Sequence, residues 1–106
     1  MQRLLFIFSI TALLACSTAA EPQPVASGEV SAADAQRLYV MKCSLCHGDQ
    51  GNLMVAGAPD LTASRMSLDE RIAYITYGKG TMPPQKGILT ADEIKAIALY
   101  IESFRK

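Results

Sequence analysis

Met41-Lys42-Cys43-Ser44-Leu45-Cys46-His47-Gly48 holds two of the chain's three cysteines and its one histidine. Two thiols three positions apart, with an imidazole directly after them, suit three chemistries. They are a dithiol redox pair, a zinc site and a covalently attached haem. The rest of the chain weighs on each. A thioredoxin-like pair belongs beside a βαβ pattern, and no segment here sustains strand alternation with hairpin signals. A structural disulfide between Cys43 and Cys46 would close too short a loop to restrain much chain. Zinc commonly takes four ligands in two spaced pairs. The second pair is missing here, so Asp49 or Asp60 would have to improvise it.

Haem meets fewer objections. Two thiols one helical turn apart can add to the two vinyl groups on one porphyrin edge, and the next imidazole can then reach the iron. The compartment agrees. Arg3 is followed by an almost uninterrupted apolar run from Leu4 to Ala15 and then by Ser17-Thr18-Ala19-Ala20, the layout of an export signal. The run is too short for a spanning helix, which needs roughly 20 apolar residues. A cut after Ala20 makes residues 1–20 the signal. Leu13-Leu14-Ala15-Cys16 also resembles a bacterial lipobox; a cut there makes the signal residues 1–15 and leaves Cys16 as a lipid-bearing N-terminus. In bacteria, haem is attached after export, so signal and motif support each other.

Residues 21–30 are rich in Pro, Ala, Ser and Gly and read as a flexible leader or tether. Residues 31–106 form one small domain, in which three helices are expected. The first opens at Ser31 and runs through Val40 towards the cysteines. The second starts at Ser67, paired with Glu70 in a capping box, carries Leu68, Ile72 and Ile75 on one face, and stops at Gly78. The third starts at Thr90 with Glu93 as its box partner. Its stripe is Ile94, Ile97, Ala98, Ile101 and Phe104. Two turn-rich loops, Gly48 to Pro59 and Gly78 to Gly87, separate them. The fold class is therefore all-α, with loops long enough to enclose something. Without Arg3, nine Lys/Arg face ten Asp/Glu, so the chain is near neutral and offers no basic patch for nucleic acid. A domain this small often needs a cross-link or metal to staple it.

Haem iron has a second face. Met41, Met54, Met66 and Met82 are the candidate sulfurs, and methionine is ordinarily a packing residue. Met41 is too near the attachment point to reach around the ring, and Met54 shares the difficulty. Met66 precedes the second helix and would pack on it. Met82 stands in Tyr77-Gly78-Lys79-Gly80-Thr81-Met82-Pro83-Pro84, with glycines on one side and rigid prolines on the other. That loop is suited to presenting one soft sulfur, and a His/Met pair raises haem potential for electron transfer. On the proximal side, Gly57-Ala58-Pro59-Asp60-Leu61 can bring a backbone carbonyl to His47, as ligand histidines commonly require.

Over Ser31 to Lys106 the chain resembles a bacterial class I (His/Met) monohaem c-type cytochrome. The match is carried by Cys43, Cys46 and His47, by Pro59 and Leu61, and by Gly78, Gly80, Met82 and Pro83. The resemblance implies a small cytochrome c fold, with three main helices wrapped around one covalent haem c. Thioethers would form at Cys43 and Cys46, with His47 and Met82 as axial iron ligands. Pro59 would offer its carbonyl to His47, and Gly78, Gly80 and Pro83 would shape the haem-facing loop. Leu38-Tyr39 and Leu99-Tyr100 resemble the family's crossing of first and last helices. Ala35 stands where a glycine often permits that crossing. The interval from His47 to Met82 is shorter than in mitochondrial members, so any propionate-facing helix there is reduced.

The expected activity is one-electron transfer in the periplasm, with no substrate bond made and no catalytic residue. A monomer is expected, and it would meet periplasmic redox proteins, or a membrane-bound oxidase, reductase or dehydrogenase, through small transient interfaces. Lys42, Lys79 and Lys86 stand ready to steer an acidic partner or simply to be solvated. Two rival readings follow from the same residues: a haem subunit fixed within one oxidoreductase complex, and a haem enzyme or gas sensor in which Met82 leaves easily.

Overall fold

The computed structural model describes residues 28–106. The export segment, Cys16 and the leader up to residue 27 lie outside the described residues. The first helix, α1 (Ala32–Lys42), is capped by Ser31, whose hydroxyl accepts from the Asp34 amide at 3.1 Å. It ends at Cys43, whose φ of −121° and ψ of −32° leave the helical region. A separate single turn, α2 (Ser44–His47), then carries the motif. Two 3₁₀ turns follow, at Val55–Gly57 and Leu61–Ala63.

The other two long helices begin at the expected residues. In α3 (Leu68–Tyr77) and α4 (Ala91–Glu102), Ser67 and Thr90 each form both halves of a capping box, with Glu70 and Glu93. Each box satisfies two amides that a helix start otherwise leaves unpaired. Among the described residues there is no strand, only isolated bridges such as Lys79 with Met82. No helix of the described residues is long and apolar enough to cross a membrane. The architecture is the expected one, with the one-turn α2 added to the three main helices.

The core is built on one face of α4. Ile94, Ile97, Ala98 and Ile101 are buried against Tyr39 of α1, Ile75 of α3 and Leu89. Removing each large aliphatic side chain from water contributes about 1.5–3 kcal/mol, which explains why the stripe follows the helical interval. Ala35 is buried where α1 and α4 pack together, so a methyl group is accommodated at the crossing. Tyr39, Tyr100 and Phe104 form an aromatic trio with ring centroids 5.1–5.4 Å apart. Leu99, by contrast, is half-exposed and contributes little to the crossing.

The same core fixes the start of the motif loop. Tyr39 donates its hydroxyl proton to the Gly48 carbonyl at 2.7 Å. Burial, reinforced by neighbouring Cys43, raises its phenol well above the ordinary value and keeps it a donor. At Gly51 (φ +80°), a Cβ would meet Phe104 Cδ2 at 2.8 Å and Leu61 Cβ at 3.0 Å, so the loop passes the trio only as glycine. At the far end, buried Arg71 donates to the Ala98 carbonyl at 3.1 Å and to the Glu102 carboxylate, locking α3 to α4. Met66 joins this lock through its carbonyl, which accepts from Arg105.

Candidate functional site

Cys43, Cys46 and His47 are spaced by the backbone of one helical turn. The Cys46 and His47 amides both donate to the Cys43 carbonyl, at 3.3 and 3.0 Å. Cys43 and Cys46 are free thiols with no disulfide between them. Among the described residues, no group of three or more His, Cys, Asp or Glu side chains converges as a metal site, which leaves zinc without a ligand set. Burial pushes the Cys43 thiol up to about 11, so it stays protonated and weakly nucleophilic in the folded chain.

His47 closes the turn and is buried. Its Nδ1 is sealed from solvent and makes no hydrogen bond of good geometry. The Pro59 carbonyl is nevertheless near enough to favour the protonated ring, against the stronger effect of burial, which lowers the imidazole pKa. The two descriptions fit one arrangement: a sealed N–H facing a carbonyl that it approaches imperfectly. Such a contact fixes the tautomer and leaves the other nitrogen to serve as a ligand.

Met82 sits on a tight turn. The Lys79 amide donates to the Met82 carbonyl at 3.1 Å and the Met82 amide to the Lys79 carbonyl at 3.0 Å. Downstream, the Gln85 and Lys86 amides return to the carbonyls of Ile75 and Thr76, each at 3.0 Å. The Met82 side chain is half-buried and packs on the same core cluster as Cys43 and Leu61. Met41 and Met54 instead lie on the surface, 66% and 56% exposed. Gly78 ends α3 at φ 68° and ψ 174°, and a Cβ there would run into the Met82 carbonyl oxygen and come within 2.8 Å of the Pro84 nitrogen. Its missing side chain therefore makes room for the Met82–Pro84 backbone. Gly80 (φ +59°) has open space around its Cβ position, and Pro83 is exposed.

Three features were not legible in the sequence. Gln85 is buried beside the turn with Oε1 unpartnered. Thr81 bonds the Ala56 carbonyl. Met54 and Ala56 both take left-handed backbone conformations. Gln85 stands between Pro84 and Lys86, so nothing in its neighbours marks it as buried. Two grooves of about 820 and 620 Å³ lie between Gly28–Val30 and the α1 and α4 surfaces; neither is lined by Cys43, Cys46, His47 or Met82. They belong to the entry of the chain into α1.

The residues around the motif suit a large apolar ring. Leu45 is 85% exposed, and Leu53, Met54 and Val55 are exposed on the segment that packs against α2. Apolar surface so concentrated marks a place that something covers. Free thiols on one turn, a buried imidazole with a carbonyl behind it and an apolar rim together fit haem.

Comparison with known proteins agrees. The family model for cytochrome c oxidase, cbb3-type, subunit III matches residues 30–101. Cytochrome c6 of Leptolyngbya boryana is 32% identical, over 66% of this chain and 88% of its own. The cbb3-type oxidase subunit FixP of Bradyrhizobium diazoefficiens is 38% identical over 68% of this chain, which spans only 27% of that protein. Among solved structures, the KustC0563 c-type cytochrome superposes with a TM-score of 0.63 at 30% identity, over 68% of this chain and 98% of its own. With helices, motif and these likenesses in agreement, the chain belongs to the cbb3 subunit III family of c-type cytochromes, and its cofactor is covalently bound haem c.

Proposed function

We propose that the protein carries single electrons between redox partners outside the cytoplasm and is not itself an enzyme. Bound haem c supplies a one-electron iron couple. The chain's own residues supply the rest. Cys43 and Cys46 hold the porphyrin edge through thioethers. His47, steadied by the Pro59 carbonyl, would hold the iron from one side, and Met82 would supply a second ligand. Gly78 and the Lys79–Met82 turn set where the sulfur stands, Gly80 and Pro83 complete that loop, and α4 supplies a dry wall behind it. An iron held by both His47 and Met82 would leave no vacancy for oxygen or peroxide.

One observation carries this reading: two free thiols and a buried imidazole lie within five residues, Cys43 at the cap of α2 and Cys46 and His47 inside it, in a chain of this family. The test is an absorption spectrum of the periplasmically matured holoprotein. Haem that stays with the polypeptide after acid denaturation is expected, and extractable haem sinks the assignment. A sulfur-to-iron charge-transfer band in the oxidised form is expected from Met82. Its absence removes Met82 and leaves the cytochrome.

The rest of the reading concerns place and partners. Residues 1–20 act as the export signal, or residues 1–15 if Cys16 is lipidated, with 21–30 as a leader and 31–106 as the haem domain. The periplasm is then the compartment, with the protein soluble or lipid-tethered. A monomer with exposed Lys42, Lys79 and Lys86 suits brief encounters with acidic partners. The family description and the FixP likeness favour a second reading, a haem subunit within a cbb3-type oxidase. Copurification with a terminal oxidase after mild detergent extraction supports the subunit, and recovery as a free protein supports the carrier.

A further inference from the structure

The loop carrying Met82 and the loop following His47 are tied together by one contact. Thr81 Oγ1 donates to the Ala56 carbonyl at 3.0 Å, across 25 residues of chain. Among the described residues, no backbone hydrogen bond joins the same two loops. The donor is well fixed, because Thr81 lies inside the doubly bonded Lys79–Met82 turn, next to the sulfur-bearing residue.

The acceptor lies on backbone under strain. Met54 (φ 55°, ψ 36°) and Ala56 (φ 53°, ψ 33°) both occupy the left-handed region, which residues with side chains disfavour. Strain of this kind persists only where the surroundings over-determine it. The Leu53 amide bonds the His47 carbonyl at 3.0 Å at the start of this stretch, and the Ala58 amide bonds the Val55 carbonyl at 3.0 Å towards its end. Ala56, between them, lies in a turn that packs near α2, and among the described residues its one hydrogen bond from outside the loop comes from Thr81. A loop that begins on the carbonyl of one candidate ligand is thereby fastened to the residue beside the other.

We propose that Thr81 is a positioning residue whose hydroxyl clasps the Met82 turn to the Leu53–Gly57 loop and so holds Met82 on the iron against displacement. The proposal rests on the reading of Met82 as the sixth ligand. Thr81 is exposed, so water competes for the bond and its worth to global stability is small. Its effect falls on local opening, because detaching Met82 requires the turn to swing away from the strained loop. Thr81→Val keeps the shape and removes the donor, whereas Thr81→Ser keeps the donor.

The test uses the matured holoprotein. Imidazole should displace Met82 from oxidised Thr81→Val roughly two- to fivefold more readily than from wild type, with Thr81→Ser close to wild type. The Met82 and Ala58 amides should also exchange faster with deuterium in Thr81→Val. A Thr81→Val protein that binds imidazole and exchanges these amides as wild type does overturns the clasp, whether or not it melts lower. If wild type shows no sulfur-to-iron band, the Met82 reading fails by itself. Amide exchange then still decides whether the two loops are fastened.

Discussion

Replacing Gly78 with alanine should damage the site far more than the same change at Gly80, although both glycines flank Met82 in one short loop. Gly78 combines φ 68° with ψ 174°, a region essentially closed to residues with a Cβ, at about 1–3 kcal/mol. The new methyl would also meet the Met82 carbonyl oxygen, the Pro84 nitrogen at 2.8 Å and the Pro83 carbonyl carbon at 2.9 Å. These are backbone atoms that cannot rotate away, and overpacking of this sort adds about 1–3 kcal/mol. Together the two costs come to roughly 2–6 kcal/mol, or about 8–48 °C of melting temperature for a domain of this size. Gly80 has only its φ of +59°, with nothing within 4 Å of the added atom. That strain costs about 1–2 kcal/mol.

The assay is thermal melting of both matured variants, followed at the haem Soret band and at the sulfur-to-iron band. Gly78→Ala should melt well below Gly80→Ala and should lose sulfur-band intensity before unfolding, because the displaced backbone is that of Met82 itself. Equal melting temperatures, with an intact sulfur band in Gly78→Ala, would refute the argument that this glycine serves the chain's own backbone.

Other outcomes follow from the same geometry. Met82→Ala should lower the reduction potential and open the iron to carbon monoxide, while Met54→Ala should leave both unchanged in redox titration and gas binding. Tyr39→Phe strips the Gly48 carbonyl of its partner and should cost about 1–3 kcal/mol, read as a lower melting temperature with the spectrum unaltered. Gln85→Leu removes a sealed oxygen that has no partner among the described residues, at the loss of one long bond from Nε2 to the Pro83 carbonyl at 3.4 Å, and should raise the melting temperature; a fall would refute the claim that the unpartnered oxygen outweighs that bond. The Arg71 hydrogen bond lowers the Glu102 carboxyl from its ordinary 4.5. Its stabilisation is therefore full above that value and lost as pH falls through the lowered one. Glu102→Gln should flatten the decline in stability below about pH 4.5, measured by denaturant melts across acid pH.

What the sequence disclosed was whatever is encoded locally. Ser31, Ser67 and Thr90 announce helix starts because a capping hydroxyl and its partner lie three residues apart, and the α4 stripe shows because burial repeats with the helical period. Gly78 was legible as a stop, but its reason was not. The obstacle to a side chain there is the Met82–Pro84 backbone, which folds back onto it only in three dimensions. The break between α1 and α2 was hidden for a similar reason. Nothing in Lys42-Cys43-Ser44 forbids a continuous helix, yet Cys43 departs from helical angles and gives the motif a turn of its own. Arg71 reads as a surface cation in a capped helix. It is buried because Ala98 and Glu102, distant in sequence, supply an oxygen and a charge.

The two halves of the candidate coordination sphere also depend differently on the fold. His47 is fixed locally: three residues of backbone hydrogen bonding set its place relative to the thiols. Met82 is fixed by tertiary structure on several sides. Its own turn holds Lys79, Gly78 receives its carbonyl, and Gln85 ties the following chain to the end of α3. Partial unfolding should therefore release Met82 first and leave His47 in place, because the local turn outlasts the packing around it. At denaturant concentrations below the main transition, the sulfur-to-iron band should fade while the Soret band still reports a bound imidazole. Simultaneous loss of both would mean that Met82 is held by the same cooperative core as His47.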